Sequence, residues 1–306
     1  MSAYEAIILT IITASTPLLL AAIGELVVER SGVLNLGIEG MMVMGAVCGF
    51  AAAHVSGSAW LGVIAAVMGG VAMSLLFALL TQTLITNQVA TGLAITLLGL
   101  GLSGLIGSDF VGLPGVKLSN VSIPWLTELP YVGRLVFGQD PLVYVSIVLT
   151  AGVAYGLKYT RWGLIIRAVG QSHSSAHALG YRVIAVRYAC IAFGGATSGL
   201  AGAYLSLVYT PQWIENMTAG RGWIALALVV FSTWLPGRLA AGAYLFGGVW
   251  ILGLYAQAMG LGIPSQLLSS LPYVATILAL VVISTNRRLS VINTPASLGQ
   301  GFVPDR

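Results

Sequence analysis

Long apolar runs separated by short polar breaks dominate the chain. A helix needs about 20 mostly apolar residues to cross a bilayer. Runs of that kind fall at 7–24, 35–54, 59–80, 89–107, 141–158, 188–208, 222–235, 240–259 and 271–285. The pattern predicts an all-α, polytopic membrane protein with about nine transmembrane helices, within a range of eight to ten. The run at 222–235 is short, and glycines interrupt those at 89–107 and 188–208. These segments are candidates for re-entrant or broken helices. The stretch 109–140 contains Pro114, Pro124 and Pro130 and ends just before Pro141, so an irregular outer loop is expected there rather than another span.

Composition agrees. Hydrophobic residues make up 58% of the 306, and charged residues only 7%. A soluble domain carries about 25% charged residues. The 39 glycines would be costly in soluble helices, but small residues let membrane helices approach closely. Cys48 and Cys190 lie in apolar runs and read as reduced packing residues. No basic stretch precedes the first run, whose only early charge is Glu5, so that run is expected to remain as a helix rather than be cleaved as a signal peptide.

The net charge of +4 points to orientation rather than to nucleic acid. Lys158, Arg161, Arg167, Arg182 and Arg187 crowd one acid-free connector, which the positive-inside rule puts in the cytoplasm. Alternation from there places ten of the 13 basic residues inside, leaving Lys117, Arg134 and Arg221 outside. The N-terminus is then external and the C-terminus cytoplasmic. Trp125, Trp213 and Trp223 are expected near the outer interface.

The chain lacks the parts of an energy-transducing or hydrolytic site. Neither Lys117 nor Lys158 follows a glycine, so there is no phosphate-cradling P-loop. No His-Glu-x-x-His or Gly-x-Ser-x-Gly sequence occurs, and no cofactor or metal is expected. If the protein moves a solute uphill, the energy comes from a partner or an ion gradient.

Three regions carry information. In the first, Glu39 lies inside an apolar run, where a buried acid costs about 2.5–3.5 kcal/mol at mid-helix. Asn35, at i−4, would share its helix face, and Gly37 and Gly40 flank it. Two readings stand: an acid paired to hold helices together, or a gate or pathway lining. In the second, Glu215-Asn216-Met217-Thr218-Ala219-Gly220-Arg221-Gly222-Trp223, Arg221 stands between two glycines at a helix start. It reads either as a loop arginine snorkelling to outer headgroups or as part of an unwound turn beside the pathway. The topology places Glu39 and Arg221 nearer opposite faces, so an ion pair between them is not expected. The third is the basic connector. Residues 172–179, ended by Gly180, read as a short surface helix. His173 and His177, at i and i+4, lack a third ligand and read as exposed loop histidines. The remaining glycine pairs, such as those at 99–107 and 194–202, suggest close helix packing.

The stretches Glu29–Met42 and Gly220–Ala227, with the connector, resemble permeases of ATP-binding cassette importers in the simple-sugar and nucleoside group, which are related to ribose and branched-chain amino-acid permeases. The first stretch is most similar to the nucleoside branch. The resemblance covers nearly the whole chain, a single permease domain over 1–306 with an ATPase-docking loop at 158–187. It implies uptake of a nucleoside or simple sugar across a bacterial or archaeal cell membrane. The implied partners are a cytoplasmic ATPase subunit, a second permease subunit and an extracytoplasmic substrate-binding protein, with no nucleic acid. The pathway reading of the first two regions makes Asn35, Glu39, Asn216 and Arg221 its candidate residues. The family's ATPase-docking Glu-Ala-Ala-x-x-x-Gly motif would fall on Ser174-Ser175-Ala176-His177-Ala178-Leu179-Gly180. Ala176 and Gly180 match, and Ser174 replaces the acid. An ion-coupled secondary transporter is the rival reading, with Glu39 as its only coupling candidate.

Overall fold

The structure, a computed structural model, describes residues 3–121, 133–259, 264–284 and 293–303. Its elements are α1 (Ala3–Arg30), α2 (Ile38–Ser56), α3 (Ala59–Ala78), α4 (Gln88–Gly107), α5 (Gly133–Phe137), α6 (Pro141–Tyr159), α7 (Arg161–Gln171), α8 (His173–Ala178), α9 (Val183–Tyr204), α10 (Arg221–Phe231), α11 (Pro236–Ala258) and α12 (Ser265–Ser284). The described residues contain no strand, only an isolated bridge between Val111 and Trp213.

Local chemistry sets the helix ends. Asp140 caps α6, accepting from the N–H groups of Leu142 (3.0 Å) and Val143 (3.2 Å), with Pro141 at the first helical position. Asn87 caps α4 by accepting from Ala90 N–H, and Gly57, left-handed at φ +70°, ends α2. Single π-turns extend α3 through Leu79–Thr83 and α9 through Leu205–Tyr209.

Seven segments among the described residues are long and apolar enough to cross a membrane, those built on α1, α2, α3, α4, α6, α9 and α11. They match seven of the expected runs. The run at 222–235 is α10, only 11 residues, or about 16 Å against a hydrocarbon core of about 30 Å. The last run corresponds to α12, and its end at residue 285 lies outside the described residues. Two expectations need correction. The runs at 89–107 and 188–208 are not broken at their glycines: α4 and α9 are continuous there. The glycines instead mark crossings. A Cβ on Gly45 would come within 2.5 Å of the Gly199 backbone, and one on Gly99 within 2.6 Å of Gly40.

Burial is graded from the centre outwards. α2, packed among α3, α4, α9 and α10, buries 13 of its residues, while α6 buries four and presents Ile147 and Val148 outwards. A central helix enclosed by protein can carry polar groups that a lipid-facing helix cannot.

Candidate functional site

The polar interior begins at a break. α1 ends at Arg30, and residues 31–37 turn back irregularly before α2 starts at Ile38. Gly40, in the first turn of α2, packs against Ile95, Thr96 and Gly99, near the middle of α4. Thr96 Oγ1 donates to Leu36 O at 2.9 Å. The start of α2 therefore lies halfway along a helix long enough to span the bilayer, and Glu39 lies there with it.

The Glu39 carboxylate meets the turn that opens α10. Oε1 accepts from Thr218 Oγ1 (2.5 Å) and Gly220 N–H (2.9 Å), and Oε2 accepts from Gly222 N–H (2.6 Å). A carboxylate at a helix N-terminus satisfies its orphan donors and lies at the positive end of the helix dipole. Glycine is required on both sides of Arg221 for different reasons. Gly220 is left-handed at φ +81°, and a Cβ on Gly222 would come within 2.7 Å of the Glu39 backbone. Ala219 (φ +47°) and Asn216 (φ +55°) are also left-handed, so the clasp holds a strained turn.

Glu39 and Arg221 are thus neighbours in level, not on opposite faces as the sequence topology had them. Their junction runs through main chain. Arg221 Nη1 donates to Met217 O (3.1 Å) and Thr218 O (3.4 Å), and its guanidinium lies 5.5 Å from the Tyr209 ring centre and 5.8 Å from that of Trp250. Neither snorkelling to headgroups nor an ion pair describes it.

Asn35 needs a second correction. It precedes α2 and shares no helix face with Glu39. Its Oδ1 accepts from Gly37 N–H at 3.0 Å, and its main-chain N–H and Nδ2 donate to the two oxygens of Glu25, each at 3.3 Å. Asn216 and Glu215 are exposed beside the clasp, while Glu39 and Thr218 are buried. The Glu215 carboxylate lies against Gly104 of α4. Trp213 is 2% exposed with its indole against Gly107 at the end of α4, and Trp223 sits half-buried in the first turn of α10. Trp125 lies outside the described residues.

A second polar layer closes the Arg30 end and was missed in the sequence. Glu29 Oε2 accepts from Trp234 Nε1 at 2.5 Å, and Arg30 donates to Trp234 O and Asn293 O. Arg187, counted in the sequence as a loop cation, is fully buried in α9. It donates to Ser31 O (3.3 Å), Gln82 Oε1 (3.3 Å) and Gln300 O (3.0 Å), tying together the α1–α2 turn, the π-turn after α3 and the C-terminal segment. The only sequence signal for it is a cation five residues into a helix that begins at Val183 rather than 188.

The connector folds as two helices, α7 and α8. Ser172 caps α8, accepting from Ser175 N–H at 3.2 Å, and Gly180 is left-handed at φ +87° past its end. Ala176 is buried against Val169, Val183 and Phe302, while Ser174, Ser175 and Leu179 face outwards, Leu179 at 77% exposure. His173 and His177 both pack against the Phe302 ring, at 5.2 and 5.3 Å between centres. Burial, and after it the charge of Arg187, lower His173 below the usual imidazole value.

Seven membrane-length helices among the described residues, packed around an enclosed polar turn, are those of a polytopic membrane protein, and relatives specify the class. Residues 7–284 match the family described as a branched-chain amino acid transport system permease component, and the chain belongs to that family. It is 37% identical to a putative glucose ABC transporter permease protein, TsgC13, of Haloferax volcanii, over 95% of both chains. It is 30% identical to the nucleoside ABC transporter permease NupC of Lactococcus lactis, over 91% of this chain and 92% of the relative. It is 31% identical to the guanosine ABC transporter permease NupQ of Bacillus subtilis, over 89% and 92% respectively. The chain is therefore a multi-pass ABC transporter permease, a transport subunit and not an enzyme. Membership implies an ATPase and a substrate-binding protein as partners.

Proposed function

We propose that the chain forms the transmembrane pathway for uptake of a nucleoside or simple sugar, with the Glu39 clasp holding the solute-facing turn at mid-membrane. The observation that carries this is the buried carboxylate bonded to Thr218, Gly220 and Gly222, with Glu215 and Asn216 exposed beside it. A carboxylate and an amide offer the acceptors and donors that vicinal hydroxyls need. The relatives named for glucose, nucleosides and guanosine support that solute class.

In this reading the count is nine crossings, with the N-terminus outside and the C-terminus inside. Trp213 packs at the Gly107 end of α4, Gly222 at the middle, and Trp234 bonds Glu29 and Arg30 at the far end of α1. Residues 213–234 thus traverse the full thickness, irregular in the first half and helical in the second, as broken helices do in transporters. α12 adds the last crossing. The whole chain acts as one permease domain beside a second permease subunit. The loop at 158–187 is its ATPase contact, through the outward face of α8 at Ser174, Ser175 and Leu179, with Ala176 and Gly180 setting the helix's seat and its end.

The test is labelled uptake in cells carrying the complete transporter, competed with unlabelled nucleosides and sugars. Glu215→Gln and Asn216→Ala are expected to raise the solute concentration for half-maximal uptake at normal membrane levels. Unchanged concentration dependence in both variants contradicts the assignment.

A further inference from the structure

We propose that a basic cleft at the Arg30 end of the bundle binds the phosphate of an anionic phospholipid. The cleft has a volume of about 820 Å³, within the range of small-molecule sites. Arg30, Lys158, Arg167 and Arg238 line it, and among the described residues no acidic side chain does.

Among the described residues, each cation touches neutral groups. Arg30 donates to main-chain carbonyls, Arg167 Nε to Gly163 O at 3.3 Å, and Arg238 Nη1 to Thr233 Oγ1 at 3.0 Å. Lys158 Nζ lies 5.0 Å from the Tyr159 ring centre. Within the described lining their charge meets no opposite charge. The N-terminus of α11 adds to it: Pro236 and Gly237 line the cleft, and no side chain caps that end. Free N–H groups and the positive end of a helix dipole favour a phosphate there.

The walls point to a lipid rather than a free ion. Leu157, Leu164 and Leu235 also line the cleft, giving an acyl or glycerol portion an apolar surface. Tyr155, Tyr159 and Trp162, on the adjoining ends of α6 and α7, are 64%, 65% and 72% exposed. Exposed aromatic rings at a helix end mark the headgroup level. Basic pockets between membrane helices select anionic headgroups in the same way.

The site is tested on the whole permease–ATPase complex in nanodiscs containing phosphatidylcholine and phosphatidylglycerol. Both leaflets carry the same mixture, so the result does not depend on which way the cleft faces or which solute is carried. Native mass spectrometry then reads the lipids retained on release. Wild type is expected to retain phosphatidylglycerol in preference to phosphatidylcholine. The combined Lys158→Gln, Arg167→Gln and Arg238→Gln variant should lose that preference by roughly a hundredfold, and Arg238→Gln alone by about fivefold. The single variant serves if the combined one does not assemble. Equal phosphatidylglycerol retention by wild type and variants overturns the proposal. So does its displacement by excess inorganic phosphate, which would make the site one for a soluble anion. Loss of the ATPase with lipid retention intact overturns it too, because the cleft would then be a protein contact.

Discussion

At Glu39 two oxygens take three donors from one turn of another segment, and the carboxylate is 3% exposed. Hydrogen bonds to charged groups are worth about 1.5–3 kcal/mol each, and a buried donor left without its acceptor costs more than the bond supplied. Glu39→Gln turns an amide NH₂ towards N–H donors on one side. Uptake is expected to fall more than tenfold, with membrane insertion intact on a surface-labelling gel; wild-type uptake would exclude the clasp. Gly222→Ala places a methyl group on the Glu39 backbone and should give a comparable loss. Both residues stood out in the sequence, the acid because it interrupts an apolar run and the glycine because it flanks an arginine. Their partnership did not. Helix periodicity ties Glu39 to Asn35, whereas an irregular re-entrant stretch separates them and gives Asn35 to Glu25. Periodicity applies only where the helix has begun.

The elements themselves were largely legible, because lipid forces backbone polar groups into helices and length then fixes the spans. What hydropathy cannot see is whether an apolar stretch is a full helix or half of one. Most glycines of α4 and α9 read as breaks but are contact points in continuous helices, while the true irregularity lies in residues 210–220. Asp140 offers a test at this scale. Burial raises its carboxyl above the usual value, against the opposing bonds from Val143, Tyr204 and Leu142. The folded state then binds the proton more tightly than the unfolded one. The Asp140 contribution therefore falls as pH rises from about 3.8 through its higher folded value. Asp140→Asn keeps the cap without the charge and should leave the melting temperature of purified complex unchanged or higher at neutral pH. Asp140→Ala should cost about 1 kcal/mol. On α8, Gly180 has open space for a side chain but a left-handed backbone. Gly180→Val is expected to distort α8, the proposed docking helix, leaving insertion intact while abolishing solute-stimulated ATP hydrolysis; normal stimulation would argue against docking through this helix.

Across the molecule there are two polar layers: the Glu39 clasp level with the middle of α4, and the Arg187 latch at the Arg30 end. The latch joins segments far apart in sequence, from Ser31 to Gln300, which is why no local pattern revealed it. Phe302 links the same C-terminal segment to α8 through His173 and His177. If α8 is the docking helix, as proposed, movement there reaches the latch by a short path. Phe302→Ala should uncouple the two, lowering transport per ATP hydrolysed while hydrolysis continues; unchanged stoichiometry would remove the C-terminal segment from the coupling. The central claim is that this chain is a conduit driven by a partner ATPase. Its most direct test is labelled-nucleoside uptake by the reconstituted transporter in proteoliposomes, with ATP or an imposed ion gradient as the only energy source. The account predicts accumulation with ATP on the ATPase side and binding protein on the other, and none on a gradient. Uphill accumulation by the permease alone on an ion gradient would contradict it.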